Sequence, residues 1–192
     1  MSITSTLNLN DPRVIRTRQL IMDAFVFLLS KQNFNSITIS DITKKATINR
    51  ATFYAHFPDK FALIDSMLAD AFIDFVKARV NPSSTLDEGT VKSIVIALCE
   101  YHEASNKRCV RGYDDIAPLV EKNIKIQLQN FISELINESC EESDSRTREV
   151  AIIMMTWSIY GVTYRWNQDG RSESPEQFAE IVIPLLKSFI KS

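Results

Sequence analysis

The sequence predicts an all-α fold, and three observations carry that reading. Glycine and proline are scarce, 4 and 6 in 192 residues, so the chain lacks the turn residues that many short strands require. Apolar residues recur at intervals of three and four over long stretches, with few polar breaks between them. A hydrophobic share of 45% beside 24% charged residues is enough to bury a core at this length.

The elements follow in order. Asp11-Pro12 reads as an N-cap with proline at the first helical position, and Val14, Ile15, Ile21, Ala24, Phe25, Leu28 and Leu29 continue at helical spacing to about Gln32. Residues 33–39, NFNSITI, form a connection, after which Ser40 or Thr38 can cap a short helix through Ile42 to Ala46. Thr47, Ile48 and Asn49 interrupt it, and a third short helix runs from Arg50 to about His56. Its Phe53 and Phe57 lie one turn apart and face inward, which leaves Arg50, Ala51, Tyr54 and Ala55 facing out. Helix, helix, tight turn and helix make a helix-turn-helix arrangement. A long helix then carries Leu63, Ile64, Met67, Leu68, Ala71, Phe72, Phe75 and Val76 from about Pro58 to Val80. NPSS breaks the chain at 81–84. Further helices are expected at 87–103, in a short piece at 107–111, at 116–137, at 146–167 and at 176–190, with polar runs at CEESDS and QDGRSESP between the last three.

Several classes of function find no support. The opening MSITSTLNLN has no basic and apolar signal pattern, and no stretch reaches the roughly 18 apolar residues of a membrane span, so a cytoplasmic protein without a membrane partner is expected. Cys99, Cys109 and Cys140 are odd in number and widely spaced, which fits neither a disulfide framework nor a zinc site, and reduced thiols are the expectation. Cys109, between Arg108 and Arg111, is the one thiol with surroundings that favour a redox role. His102 has no second His or Cys at metal spacing and is expected as a partly exposed polar residue, so no metal and no cofactor is expected. Phosphate loops, zinc-protease motifs and nucleophile elbows are lacking, and an enzyme is not expected.

Charge and the stretch NRATFYAHF point elsewhere. Residues 1–60 carry 8 Lys and Arg against 4 acidic residues, while residues 61–192 carry 14 against 20, so the basic part of the chain is N-terminal. A helix of about seven residues is not stable alone in water, and Ile48, Phe53 and Phe57 must anchor it from one side. The other side is then free for contact. Arg50 can pair bidentately with guanine, Thr52 can reach a phosphate or a thymine methyl, and Tyr54 can donate to a phosphate. Asn49 stands as N-cap to a helix end at which a phosphate can sit.

Thr38 to Leu63, TISDITKKATINRATFYAHFPDKFAL, resembles the DNA-binding domain of the TetR/AcrR family of bacterial transcriptional regulators. The likeness rests on a T-x-x-x-I-x-x-x-A element, a turn, a T-F-Y-x-H-F helix and a lysine early in the next helix, and with the first helix it covers roughly residues 12–70. It implies base or backbone contacts from Arg50, Ala51 and Tyr54, and phosphate contacts from Thr38, Asn49, Thr52, His56 and Lys60. The residue before Ile48 is often glycine in the family and is Thr47 here, so either the turn is strained or its backbone differs. The implied organisation is a helix-turn-helix DNA-binding domain at 1–60, its first 11 residues flexible, and a helical effector-binding and dimerisation domain at 61–192.

The C-terminal part supports a second expectation. VAIIMMTWSIYGVTYRW at 150–166 and FAEIVIPLLKSFI at 178–190 are apolar on nearly every face, and a helix apolar all round must be buried all round. A homodimer through these two segments follows, with Gly161 permitting close helix crossing and with Ile159 and Leu186 inside the interface; family members dimerise similarly. The resemblance also implies an effector pocket among the middle helices, for which Phe72, Tyr101, Tyr113, Trp157, Tyr160 and Tyr164 are the aromatic candidates and a small apolar or aromatic molecule the expected ligand. The helix from about Pro58 starts beside the recognition helix and can pass a tilt to it. The expected function is a ligand-responsive repressor that binds a palindromic double-stranded DNA operator as a dimer. An activator, or a regulator answering to a protein instead of a small effector, is the nearest alternative. From another class, the chain is an all-α small-molecule-binding protein or enzyme whose N-terminal helices only pack.

Overall fold

A computed structural model of the chain describes residue 8 and residues 10–81, 85–106, 113–137 and 145–190, the side chains of 105, 106, 113, 114, 137 and 187–190 excepted. Every regular element among them is helical: α1 (Pro12–Leu29), a single 3-10 turn (Phe34–Ser36), α2 (Ile39–Ala46), α3 (Arg50–His56), α4 (Lys60–Lys77), α5 (Glu88–Asn106), α6 (Tyr113–Asn137), α7 (Ser145–Gln168) and α8 (Pro175–Ile190). The expected helix ends hold to within a few residues. The helix expected at 107–111, with Cys109, and Cys140 lie outside the described residues.

Two compact units emerge, one within Met1–Leu68 and Cys109–Val120, the other within Ala69–Arg108 and Glu121–Ser192. In the first, α1 begins where Asp11 Oδ1 accepts the Arg13 amide at 2.8 Å with Pro12 at the first helical position. It buries Ile21, Ala24 and Phe25. The 3-10 turn, which the sequence reading left as plain connection, buries Phe34 against Phe25, ring edge to face at 6.2 Å. Ile37, Ile42, Ala46, Phe53, Phe57, Leu63 and Ile64 are also buried. Burial of such side chains contributes about 1.5–3 kcal/mol each.

In the second unit α5 packs against α7 and α8. Val91, Ile94, Val95 and Leu98 of α5, Ile152, Met155 and Ile159 of α7, and Ala179, Val182, Ile183 and Leu186 of α8 are buried. Salt bridges Arg79–Glu100 and Lys92–Glu180 tie α5 to residues of the same unit at their exposed rims. Cys99 is a buried free thiol whose pKa burial pushes up to about 12, so it stays protonated and unreactive. No described helix is long and apolar enough to cross a membrane. Among the described residues no His, Cys, Asp and Glu cluster could hold a metal ion.

Candidate nucleic-acid interface

The helix-turn-helix is built by side-chain caps. Thr38 caps α2: its Oγ1 accepts the Asp41 amide at 3.2 Å, and Asp41 Oδ2 accepts the Thr38 amide at 3.0 Å and its hydroxyl at 2.6 Å. This reciprocal pair is a capping box. The Thr38 side-chain and backbone hydrogen bonds hold the Asp41 carboxyl below its ordinary range. At the other end of α2 the backbone turns through Thr47 at φ 57, ψ 44, and the Ile48 amide closes onto Thr43 O at 3.0 Å. Of the two outcomes the sequence left open for Thr47, the strained one holds: a β-branched residue occupies the left-handed region.

Asn49 then caps α3 as expected, its Oδ1 accepting the Thr52 amide at 2.7 Å and the Thr52 hydroxyl at 2.9 Å. Phe53 is fully buried and packs near Phe57, 6.0 Å between ring centroids. The opposite face carries Arg50, Ala51, Tyr54 and Ala55, all exposed, with Tyr54 at 53%. The seven-residue helix is therefore held from one side and presents the other, the arrangement expected from its spacing.

His56 and Lys60, the two basic groups for which the resemblance implies phosphate contacts, differ in arrangement. His56 is half-buried, and burial first, with the Arg18 charge second, lowers its pKa. Lys60 is turned inward. Its Nζ donates to Phe34 O at 2.9 Å, Asn35 O at 3.1 Å and Ile37 O at 2.9 Å, which commits all of the ammonium protons to backbone carbonyls. The helix end beside it is also not free, because Asp59 Oδ1 accepts the Ala62 amide at 2.8 Å. Arg18, which the sequence reading passed over, lies 4.4 Å over the Phe57 ring and donates to Ser66 Oγ, bracing the exit from α3. Only the fold reveals that role, since nothing in its local sequence separates Arg18 from Arg13 or Arg16.

The effector candidates divide. Phe72 and Tyr101 are buried edge to face at 5.2 Å. Tyr160 and Tyr164 stack at 5.8 Å and meet His102 at 5.8 and 6.0 Å, and Tyr101 lies 6.5 Å from the same imidazole. Four of the six aromatics thus belong to one cluster around His102. Trp157 stands apart, 56% exposed with the Lys125 ammonium 4.2 Å over its ring. The Tyr113 side chain lies outside the described residues. His102 itself corrects the expectation of partial exposure: it is 6% exposed, Thr163 Oγ1 is 3.5 Å from its Nε2, and burial lowers its pKa to about 4. The described clefts of this unit lie elsewhere, one of about 410 Å³ between α7 and α8 bordered by Gly161, Arg165, Asp169 and Phe178, and one of about 290 Å³ bordered by Asn130, Ser133, Arg148 and Glu149.

The terminal helices also differ from expectation in one respect. Ile159 and Leu186, expected inside a dimer interface, are 0% and 4% exposed within their own chain and belong to its core. The outward apolar residues of α7 are Val150, Met154, Trp157, Tyr164 and, off the line of these four, Val162, and those of α8 are Ile181 and Leu185, the last 75% exposed. With Gly161, Val150, Met154, Trp157 and Tyr164 have alternating spacings of four and three, a continuous stripe along one helix face. A Cβ placed on Gly161 would meet nothing within 4 Å, so the stripe is open at that point.

Comparison with known proteins places this geometry among relatives. Residues 21–67 match the pattern described as bacterial regulatory proteins, tetR family, and residues 89–188 of the 192 match the transcriptional regulator C-terminal region. The chain is 38% identical over 92 residues to an uncharacterized HTH-type transcriptional regulator, YxbF, of Bacillus subtilis; the match spans 46% of this chain and 24% of that protein. It is 22% identical over 183 residues to the biofilm operon icaADBC HTH-type negative transcriptional regulator IcaR of Staphylococcus aureus, covering 89% of this chain and 97% of IcaR. Among solved structures, a TetR transcriptional regulator from Streptococcus agalactiae 2603V shares the fold with a TM-score of 0.55 at 19% identity, over 93% of this chain and 97% of that one.

Proposed function

The chain belongs to the TetR family of bacterial transcriptional regulators, and from that premise we propose that it is a dimeric repressor that reads a palindromic operator with α3 and releases it when a small effector binds. The observation that carries the DNA reading is the outward face of α3, where Arg50, Ala51 and Tyr54 are exposed while Phe53 and Phe57 anchor the helix beneath them. Arg50 and Tyr54 reach base edges or the adjacent backbone, and Ala51 allows close approach. Thr38, Asn49, Thr52 and His56 line the phosphates as cap residues and neutral donors. Repression is supported by the end-to-end likeness to a protein named a negative transcriptional regulator. Such a protein acts in the cytoplasm, where the operator is.

A second copy completes the molecule through the stripe Val150, Met154, Trp157, Gly161 and Tyr164 with Ile181 and Leu185. Exposed apolar residues in heptad spacing on two helices suit a four-helix seam, and the open Gly161 admits a close crossing. The effector we propose is apolar or aromatic, because Phe72, Tyr101 and Tyr160 are buried aromatics and His102 beside them is neutral near pH 7, while the Lys125 ammonium lies 5.2 Å over the Tyr160 ring. The helix α4 runs unbroken through the division between the two units at Leu68–Ala69, which offers a covalent path for the response.

Gel mobility of duplex DNA from upstream of the chain's own coding region tests the reading. Wild-type protein shifts it in the presence of competitor DNA and Arg50→Ala does not. Equal shifts by both proteins would remove the helix assignment. Transcription in the presence of the protein then separates repression from activation.

A further inference from the structure

We propose that Lys60 is a positioning residue, a clasp that joins the two ends of the helix-turn-helix and so sets the presentation of α3, rather than a phosphate ligand. This rests on the DNA-binding reading above and extends it. The acceptors of its Nζ are the carbonyls of Phe34, Asn35 and Ile37, at 2.9, 3.1 and 2.9 Å. Ile37 is the residue immediately before Thr38, the N-cap of α2, and Lys60 itself lies three residues beyond Phe57, where α3 ends. The segment that holds both α2 and α3 is therefore closed into a loop by one ammonium group.

The surroundings fit a clasp. The carbonyls of the 3-10 turn and of the residue after it converge on one point: Phe34 O keeps its bond from the Ile37 amide at 3.2 Å, and Asn35 O and Ile37 O lie at the turn's end, where the helical ladder stops. A lysine ammonium has three donors on one nitrogen and no acceptor, so it satisfies three acceptors that converge on one point, a geometry that the planar fork of a guanidinium does not match. The ammonium of Lys60 sits among aromatic rings: Nζ lies 4.6 Å over the Phe34 ring and 5.9 Å over the Phe61 ring, and the two rings meet edge to face at 5.2 Å. Desolvation lowers the pKa of the ammonium, as expected for a charge withdrawn from water. A phosphate contact would require the group to give up all three carbonyls, among them the part-buried Ile37 O. Closing the loop restricts the ends of α2 and α3, whose own short lengths give them little independent stability.

The test uses Lys60→Met, which keeps the stem and removes the charge, and Lys60→Arg, which keeps the charge and loses the three-point geometry. Binding is measured on a duplex enriched by the wild-type protein from random sequence and on a scrambled duplex, each across a salt series. A clasp predicts that both variants lose specific over scrambled affinity by tenfold or more, with the salt slope unchanged. A phosphate ligand predicts that Lys60→Arg binds like wild type while Lys60→Met flattens the slope by about 0.9 and keeps its sequence preference, and that result would overturn the proposal. Simple loss of folded protein would lower both affinities alike and leave their ratio intact, which also counts against a positioning role. Should the wild-type protein enrich no sequence at all, it is the functional reading that fails. Hydrogen exchange then still decides the clasp: faster exchange of the Ile39–His56 amides in Lys60→Met supports it, and unchanged exchange refutes it.

Discussion

The helices α3 and α7 are opposite solutions to being half of an interface. Helix α3 has seven residues, one of them fully buried, and its free face carries Arg50 and Tyr54. Helix α7 has 24 residues and seven buried ones, and its free face carries Val150, Met154, Trp157 and Tyr164. A polar face on a short braced helix costs nothing to leave in water and gains by meeting phosphates and base edges. An apolar stripe on a long, well-packed helix gains only when another apolar surface covers it. On the proposed reading the two exposed faces take different partners, DNA for the first and a second copy for the second, and one half-site contact then needs the second copy to supply the other.

The sharpest way to break that contrast is to put a charge on the α7 face. Trp157→Glu or Met154→Glu is expected to convert dimer to monomer in sedimentation, since burying an unpaired charge costs about 3–5 kcal/mol, and operator binding falls with it. Ile159→Glu is expected instead to unfold the chain, because that side chain lies in its own core. A soluble native dimer from Trp157→Glu would mean that the stripe faces water.

The second unit also holds a pH signal below neutrality. His102 has a folded pKa of about 4 against an ordinary 6.5, so the unfolded chain binds the extra proton between those values. Stability is full above about pH 6.5 and is lost as pH falls toward 4, by on the order of 3 kcal/mol. Denaturant midpoints between pH 7 and pH 4 check this, with His102→Gln expected to flatten the dependence.

The α3 face should respond in the reverse sense, losing function without losing stability. Arg50→Ala is expected to cost about 1–3 kcal/mol of specific DNA affinity while its thermal midpoint stays near wild type. The smallest effect sits in the turn. Thr47→Gly removes the left-handed strain at φ 57 and is expected to stabilise the unit by up to about 1 kcal/mol in urea titrations. A destabilised Thr47→Gly would mean that the turn holds no strain.

What the sequence made legible follows from the same contrast. Element order and the inward Phe53 and Phe57 were readable because helical spacing and Asx or Thr caps are local features. The Thr38 cap was open between Thr38 and Ser40, yet Asp41 three residues after Thr38 already marked the capping box. The 3-10 turn at Phe34–Ser36 was too short to leave a period. On α7, apolar residues all round hide which face meets its own chain, and so Ile159, expected in a dimer interface, lies in the core. The partners of Lys60 and the burial of His102 depend on residues distant in sequence, 23 to 26 positions away for Lys60 and 61 for the His102–Thr163 pair, which no local pattern reports.

The central claim is that two copies of α3 read one palindromic site through Arg50. Selection of random duplex DNA by the wild-type protein and by Arg50→Ala, followed by sequencing, tests it most directly. The account predicts an inverted repeat with half-site centres about 10–10.5 base pairs apart or a multiple of that, and loss of preference at one symmetric base pair in Arg50→Ala. No enrichment, a single unrepeated site, or the same preferences from both proteins would contradict it.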